Sequence, residues 1–294
     1  MTKHPHLRLL PCIDTDEDAA RCRDALDIRR FDAQQLGWTA LKAIRDGTYP
    51  DAGVREVPIS DLVDRAKART VSVRPEDPLP EPPVRSFEET SVQVRNETTL
   101  MAAHRLVAEG HDPVALNFAN GVQPGGGFLN GARAQEEVLC RSCALFATLD
   151  GDPMYAAHRE RPLPDSTAWT IYSPDVPVFR TDDGTPLDEP WLASFLTCAA
   201  PYAPDVGQPD SGDLLEERIH RVLAIARAYG HATLVLGAWG CGAFRNDPNR
   251  TAADFRRALE GPFAGAFEHV VFAVADWSKE RRYLGAFREV FGGE

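Results

Sequence analysis

From about residue 90 onward, short apolar runs alternate with longer stretches in which apolar residues recur every third or fourth position. The runs read as strands and the periodic stretches as helices, because side chains repeat every two residues in a strand and every 3.6 in a helix. The predicted order is strand 91–95, helix 99–109, strand 114–118, helix 135–149, strand-like runs at 169–172, 176–179 and 195–199, helix 214–229, strand 233–236, helix 251–259, strand 270–274 and helix 280–291. Such alternation favours an α/β sandwich with a largely parallel central sheet, whose ligands sit at the carboxyl ends of the strands. Residues 162–213, rich in proline, glycine and acids, interrupt the pattern. They are expected to form an insertion with a hairpin, with a lid or rim over a site as the alternative.

Upstream, Leu26, Ile28, Phe31, Leu36, Leu41 and Ile44 are spaced among charges until Gly47, which predicts one helix over 16–46 or two broken near Gly37. The proline-rich run from Pro75 to Pro83 continues neither a helix nor a central strand. It is expected to be a surface connection between an amino-terminal helical segment, 1–85, and the main domain, 86–294.

Composition narrows the function. The chain has 294 residues, 43% of them apolar, and no apolar run approaches the length needed to cross a bilayer. The amino terminus lacks the apolar core of a secretory signal, so a cytoplasmic location is expected. Lysine plus arginine total 32 against 44 acids, a formal charge of −12 that argues against general nucleic-acid or acidic-membrane binding. Any anionic ligand must be handled locally. Six cysteines, at 12, 22, 140, 143, 198 and 241, are too sparse for a disulfide framework and are expected to be reduced.

The candidate chemistry is concentrated after the strand 114–118, which is nearly all apolar, as when both faces of a parallel strand are covered. Asn120 and Gly121 end it, and Gly125, Gly126 and Gly127 then precede Gln135-Glu136-Glu137 by seven residues. Consecutive glycines bring backbone close to a ligand, and a helix start offers free N–H groups to an anion. Two carboxylates beside an anion cradle point to chemistry on a sugar phosphate. The loop has neither the G-x-G-x-x-G dinucleotide spacing nor a P-loop lysine.

At about 100° per residue, Val138, Leu139, Ser142, Cys143, Leu145, Phe146 and Leu149 gather on one side of the helix. Glu137 falls opposite with Arg141 and Ala144, facing water or a cleft. Acids at a helix start also simply complement its dipole, the blander explanation. A second bare loop, Gly237 to Phe244, follows strand 233–236 and suits a second phosphate cradle. Arg133 and Arg245 flank the two loops. Cys140 and Cys143 have no second pair at zinc-ligand spacing, the histidines show no metal-binding pattern, and Cys241 only loosely fits a nucleophile elbow because Trp239 stands where that motif wants glycine.

Asn117-Phe118-Ala119-Asn120, four residues and the triple glycine resemble the ADP-ribose-binding loop of macrodomains. The triple glycine, seven residues and Gln135-Glu136-Glu137 resemble the signature of poly(ADP-ribose) glycohydrolases of the compact bacterial type, over about residues 85–294. The resemblance implies a macrodomain-like three-layer sandwich with a mixed, largely parallel sheet and an amino-terminal helical extension. It also implies hydrolysis of ribose–ribose bonds in poly(ADP-ribose), carried by modified proteins, without metal or nucleotide cofactor. By position, Glu137 would be the catalytic acid and base, Glu136 would orient the ribose, and Asn120 would contact the distal ribose. Gly125, Gly126 and Gly127 would hold the diphosphate, with Gln135 also at the ligand. The loop Gly240, Cys241, Gly242, Ala243 and Phe244 would close over it, Phe244 packing on the ribose. Asn96 and Glu97 are candidates for the adenine pocket. A macrodomain that binds ADP-ribose without turnover, or one that removes single ADP-ribose units, shares the loops, but a pure binder needs no positioned acid. Cleaving a glycosidic bond does need one, first to protonate the leaving oxygen and then, as a carboxylate, to activate water.

Overall fold

The computed structural model describes residues 6–293. In chain order the elements are β1 (His6–Leu9), α1 (Asp16–Leu26), α2 (Arg30–Asp46), β2 (Thr48–Pro50), β3 (Glu56–Pro58), α3 (Ser60–Arg69), β4 (Val71–Val73), β5 (Glu89–Arg95), α4 (Thr99–Ala108) and β6 (Pro113–Ala119). A 3-10 turn (Phe128–Asn130) leads to α5 (Gln135–Ser142), α6 (Leu145–Leu149), α7 (Pro153–Arg159), β7 (Thr170–Arg180) and β8 (Pro186–Ala199). The chain continues through α8 (Ala203–Val206), α9 (Asp210–Ala228), β9 (Thr233–Leu236), α10 (Pro248–Glu260), β10 (His269–Ala273) and α11 (Leu284–Phe291).

Eight strands form one sheet in the order β1-β5-β10-β9-β6-β8-β7-β4. The pairings from β1 to β8 are parallel, and β7 runs antiparallel to both β8 and β4. Successive strand residues serve opposite faces. In β6, Val114 and Leu116 pack with α9, α10 and α11, whereas Ala115 joins the core built by α2 to α7. Val270 and Phe272 of β10 divide in the same way from Val271 and Ala273. The expected three-layer α/β sandwich with a mixed, largely parallel sheet is present, with apolar side chains buried on both faces of its central strands.

Four expectations need correction. Helix 135–149 breaks at Cys143, which is extended and bridges Val178, while the Ala144 N–H donates to Pro177 O. Pairing with a strand thus outcompetes one more helical turn. The break in 16–46 lies at 27–29, not near Gly37. Gly37 sits inside α2, where an added Cβ would stand 2.5 Å from Phe128 O, so its role is close packing rather than a stop. Residues 162–213 hold the expected hairpin, β7 antiparallel to β8, but it is integral to the main sheet rather than an insertion, and the three predicted short strands are parts of these two long ones. Finally, the first 85 residues are not simply a helical appendage. They supply β1 at one edge of the sheet and β4 at the other, so a boundary at 85 would cut both edge strands off the sheet they complete.

Candidate active site

The carboxyl ends of β5, β10, β9 and β6 open into a cleft of about 430 Å³. Its lining includes Glu97, Thr98, Asn120, Arg133, Gln135, Glu136 and Glu137 on one side. Gly240, Gly242, Ala243, Phe244, Trp277 and Tyr283 line the other. The strand ends converge here because parallel strands direct their exit loops to one edge of the sheet.

Gln135 positions the whole acidic pair. Strand β6 is bonded to β9 only from Pro113 to Ala115, and beyond that the two strands diverge. The Gln135 amide takes the place of the missing neighbour: Nε2 donates to Leu116 O at 2.7 Å, and Oε1 accepts from Phe118 N at 2.9 Å. Nε2 also reaches Thr99 Oγ1 at 3.1 Å. Gln135 was expected at the ligand, but both ends of its amide are occupied by the protein. It pins the start of α5 to the strand.

Glu136 then points inward, with Oε2 accepting from Asn120 N at 2.7 Å and Oε1 lying 3.4 Å from Asn117 Nδ2. It is fully enclosed. Burial pushes its pKa up to about 8, partly offset by the Asn120 N–H and reinforced by the neighbouring Glu137 charge. A neutral carboxyl donates as well as accepts hydrogen bonds, which suits a group that fixes a sugar hydroxyl.

The same shift makes a stability prediction. The folded protein holds the Glu136 proton between the ordinary carboxyl value of 4.5 and about 8, where the unfolded chain has released it. The associated stability is therefore complete below 4.5 and is lost as pH rises through about 8. Thermal midpoints of the wild type should fall across this window relative to Glu136→Gln. A constant difference between the two proteins would show that Glu136 does not carry the proton.

Glu137 has the geometry of an acid held ready. Its Oε1 accepts from Gly127 N at 2.9 Å, while Oε2 is buried and has no partner among the described residues. The side chain is 8% exposed and lines the cleft, so of water and cleft, the two expected surroundings, it takes the cleft. The outward-facing stripe expected around it does not exist. Arg141, one turn further on, is 1% exposed, and only its Nη2 has a partner, Asp182 O at 3.3 Å. Burial pulls its pKa below the ordinary arginine value. Asp182, pushed up to about 6 by its own burial, accepts from Thr98 Oγ1 at 2.7 Å. Helix α5 thus has no stripe facing bulk water: the sheet, α2 and the turn between β7 and β8 cover it, and its first turns line the cleft.

The first glycine loop differs from expectation. Gly126 N–H donates to Gln123 O and Gly127 N–H to Glu137, and none of Gly125, Gly126 and Gly127 is among the residues lining the cleft. This loop cradles a carboxylate of the protein itself. Asn120 lines the cleft, but its Oδ1 accepts from the N–H groups of Val122 and Gln123 at 2.9 Å, holding the turn. In the second loop the N–H groups of Gly242, Ala243 and Phe244 make no hydrogen bond with any described residue. They form the available anion cradle. Cys241 turns away, its Sγ near Trp239 O and Thr251 Oγ1.

Of the two adenine-pocket candidates, Glu97 lines the cleft, paired with Arg95 and Arg105 at 3.1 and 2.8 Å. Asn96 does not. Its amide bridges Asp14 and the backbone of Asp276 and so ties the ends of β5 and β10 together. Sequence reasoning missed Leu26, Thr98, Asp182, Trp277 and Tyr283, which reach the cleft from four separate segments. Trp277, 42% exposed just past the last strand, carried the one signal available. Among the described residues no group of three or more His, Cys, Asp or Glu side chains is placed to hold a metal, and no helix is long and apolar enough to cross a membrane.

Comparison with known proteins agrees with this geometry. Residues 38–181 match the family described as microbial-type PARG, catalytic domain. The poly(ADP-ribose) glycohydrolase of Thermomonospora curvata is 40% identical, with a TM-score of 0.81 over 89% of this chain and 100% of that one. The same enzyme bound to the inhibitor ADP-HPD is 41% identical with the same TM-score and coverage. The enzyme of Deinococcus radiodurans in complex with ADP-ribose is 41% identical, with a TM-score of 0.67 over 85% of this chain and 96% of that one. No curated protein matches the chain. An acid with one pinned and one free oxygen, set between a glycine-wrapped helix start and a bare amide loop, here accompanies identity that extends over most of the chain, which belongs to the microbial-type poly(ADP-ribose) glycohydrolases.

Proposed function

We propose that the chain hydrolyses ribose–ribose O-glycosidic bonds of poly(ADP-ribose) and releases ADP-ribose, with Glu137 as the single acid and base. The observation that carries this is Glu137 in the lining of the cleft, its Oε1 fixed on Gly127 N and its buried Oε2 without a partner among the described residues. Leaving a buried carboxylate oxygen without a partner costs about 1–3 kcal/mol or more. That cost has a purpose where the oxygen exchanges a proton with a substrate.

In this scheme Glu136 accepts and donates at the terminal ribose, and the bare amides of Gly242, Ala243 and Phe244 receive the diphosphate. Glu137 protonates the departing oxygen of the preceding unit, an oxocarbenium-like ribose forms, and the carboxylate left behind deprotonates the attacking water. Proteins bearing the polymer are the macromolecular substrates. Six unpaired cysteines are in keeping with a reducing, cytoplasmic setting. A binder without turnover has no use for the positioned acid.

The test is incubation with labelled polymer and separation of the products. ADP-ribose should accumulate in the wild type, whereas intact polymer that stays bound would convert the enzyme into a binder. Phe244 offers a second check. It is half-buried, packs at the margin of the core shared with α9 to α11, and meets Tyr202 edge-on at 5.8 Å. Phe244→Ala should raise KM for polymer about tenfold while lowering the thermal midpoint little. A larger loss of stability than of substrate affinity would reduce Phe244 to packing.

A further inference from the structure

Although the chain carries a formal charge of −12, the outer face of α2 is aromatic and cationic. Phe31 and Trp38 are 65% and 50% exposed. They stand seven residues apart, two helical turns and therefore on one face, roughly 10 Å from each other along the axis. Lys42 and Arg45 continue that face. Arg29 and Arg30 open the helix; Arg29 pairs with Asp32 at 2.6 Å, and Lys42 and Arg45 share Asp46 at 2.6 and 2.9 Å, so four cations against two acids still leave the helix net positive. Among the described residues, Phe31, Trp38 and Trp277 are the exposed phenylalanine and tryptophan side chains, and Trp277 is already in the cleft. Single exposed apolar residues need no explanation, but two large rings in register with cations form a patch.

The start of this helix stands beside the cleft. The first turns of α2 rest on the 3-10 turn that follows Gly127, through Arg30 Nε to Asn130 O at 3.0 Å and Gln34 Nε2 to Leu129 O at 3.1 Å. Gly127 in turn holds Glu137. Arg133, at the cleft, bonds Asp27 at 2.9 Å and Ile28 O at 2.6 Å in the turn leading into α2, and Leu26 just before it also lines the cleft. The amino-terminal turn of α2, which carries Phe31, is therefore close to the cleft.

We infer that the Phe31–Trp38 face of α2 binds the part of the polymer that lies beyond the unit being cleaved. Adenines of neighbouring units stack on the two rings, and their diphosphates lie near Arg30, Lys42 and Arg45. Stacking on aromatic side chains combined with cations is how single-stranded polyanions are held without sequence recognition. This rests on the proposed function, since it requires a polymer in the cleft.

The double variant Phe31→Ala/Trp38→Ala tests it, because both side chains are exposed and away from the catalytic machinery. Initial rates are measured on long polymer and on the two-unit substrate, too short to reach along α2. KM for long polymer should rise about tenfold or more, with the two-unit substrate unchanged. Unchanged KM on long polymer overturns the inference, as does an equal change on both substrates. Should the wild type cleave neither, the proposed function fails by itself, and retention of labelled polymer on a filter still decides the surface: equal retention by wild type and variant overturns the inference. Light scattering excludes the other occupant. A wild-type dimer that becomes monomeric in the variant would make this face a contact between two copies and overturn polymer binding.

Discussion

Glu137→Gln should stop release of ADP-ribose while leaving the protein folded and its affinity for free ADP-ribose within a few fold. The substitution preserves shape, and the new amide oxygen can still accept the Gly127 N–H that Oε1 accepts now at 2.9 Å. What disappears is the ability of the second oxygen to give and take a proton. General acid–base catalysis by one positioned group contributes roughly 10² to 10⁴ in rate, and the same residue serves both halves of this reaction. The loss should therefore lie at the upper end and appear in kcat rather than KM. Rates within a few fold of wild type on labelled polymer would remove Glu137 from the chemistry and leave the cleft as a binding site.

The second large effect is expected from a residue with no functional group. Gly126→Ala should cost roughly 10² in activity, with only a modest fall in stability. Gly126 lies at φ +55, in the left-handed region, which costs an alanine about 1–2 kcal/mol. A Cβ built there stands 3.0 Å from Glu136 Oε2 and closer still to Glu137 Oε1. Both carboxylates would have to move, and displacement of a reacting group by about 1 Å costs on the order of 10²-fold. The distinguishing measurement is the ratio of effects: activity should fall far more than the thermal midpoint. Near-normal turnover would mean that the glycine loop tolerates a side chain and does not set the position of the acids.

That Glu136 and Glu137 stand at the site is legible in the chain, because a triple glycine at fixed spacing before Gln-Glu-Glu is a local pattern tied to one loop and one helix start. What the glycines do was not legible. They were expected to hold a diphosphate, whereas Gly127 N–H is directed at Glu137 and the unclaimed amides belong to Gly242, Ala243 and Phe244. The direction of an N–H depends on the backbone torsions of the folded loop, and composition does not specify them. Gln135 is a similar case. Its role appears only once β6 is seen to leave β9 after Ala115, so that Leu116 O and Phe118 N need another partner.

The strand and helix periods by themselves determined β5, α4, β6, α9, β9, α10, β10 and α11 to within a few residues and hence the layered architecture, since burial on both faces of a central strand or on one stripe of a helix is written residue by residue. They also determined which strand end carries the acids. Only the tertiary structure decided that β1 and β4 close the edges of the sheet, that Cys143 abandons its helix for Val178, and that Leu26, Asp182, Trp277 and Tyr283 meet at one cleft. The physical reason is common to all three: each depends on backbone or side-chain partners from distant segments, and no period along the chain records a contact between residues far apart in it.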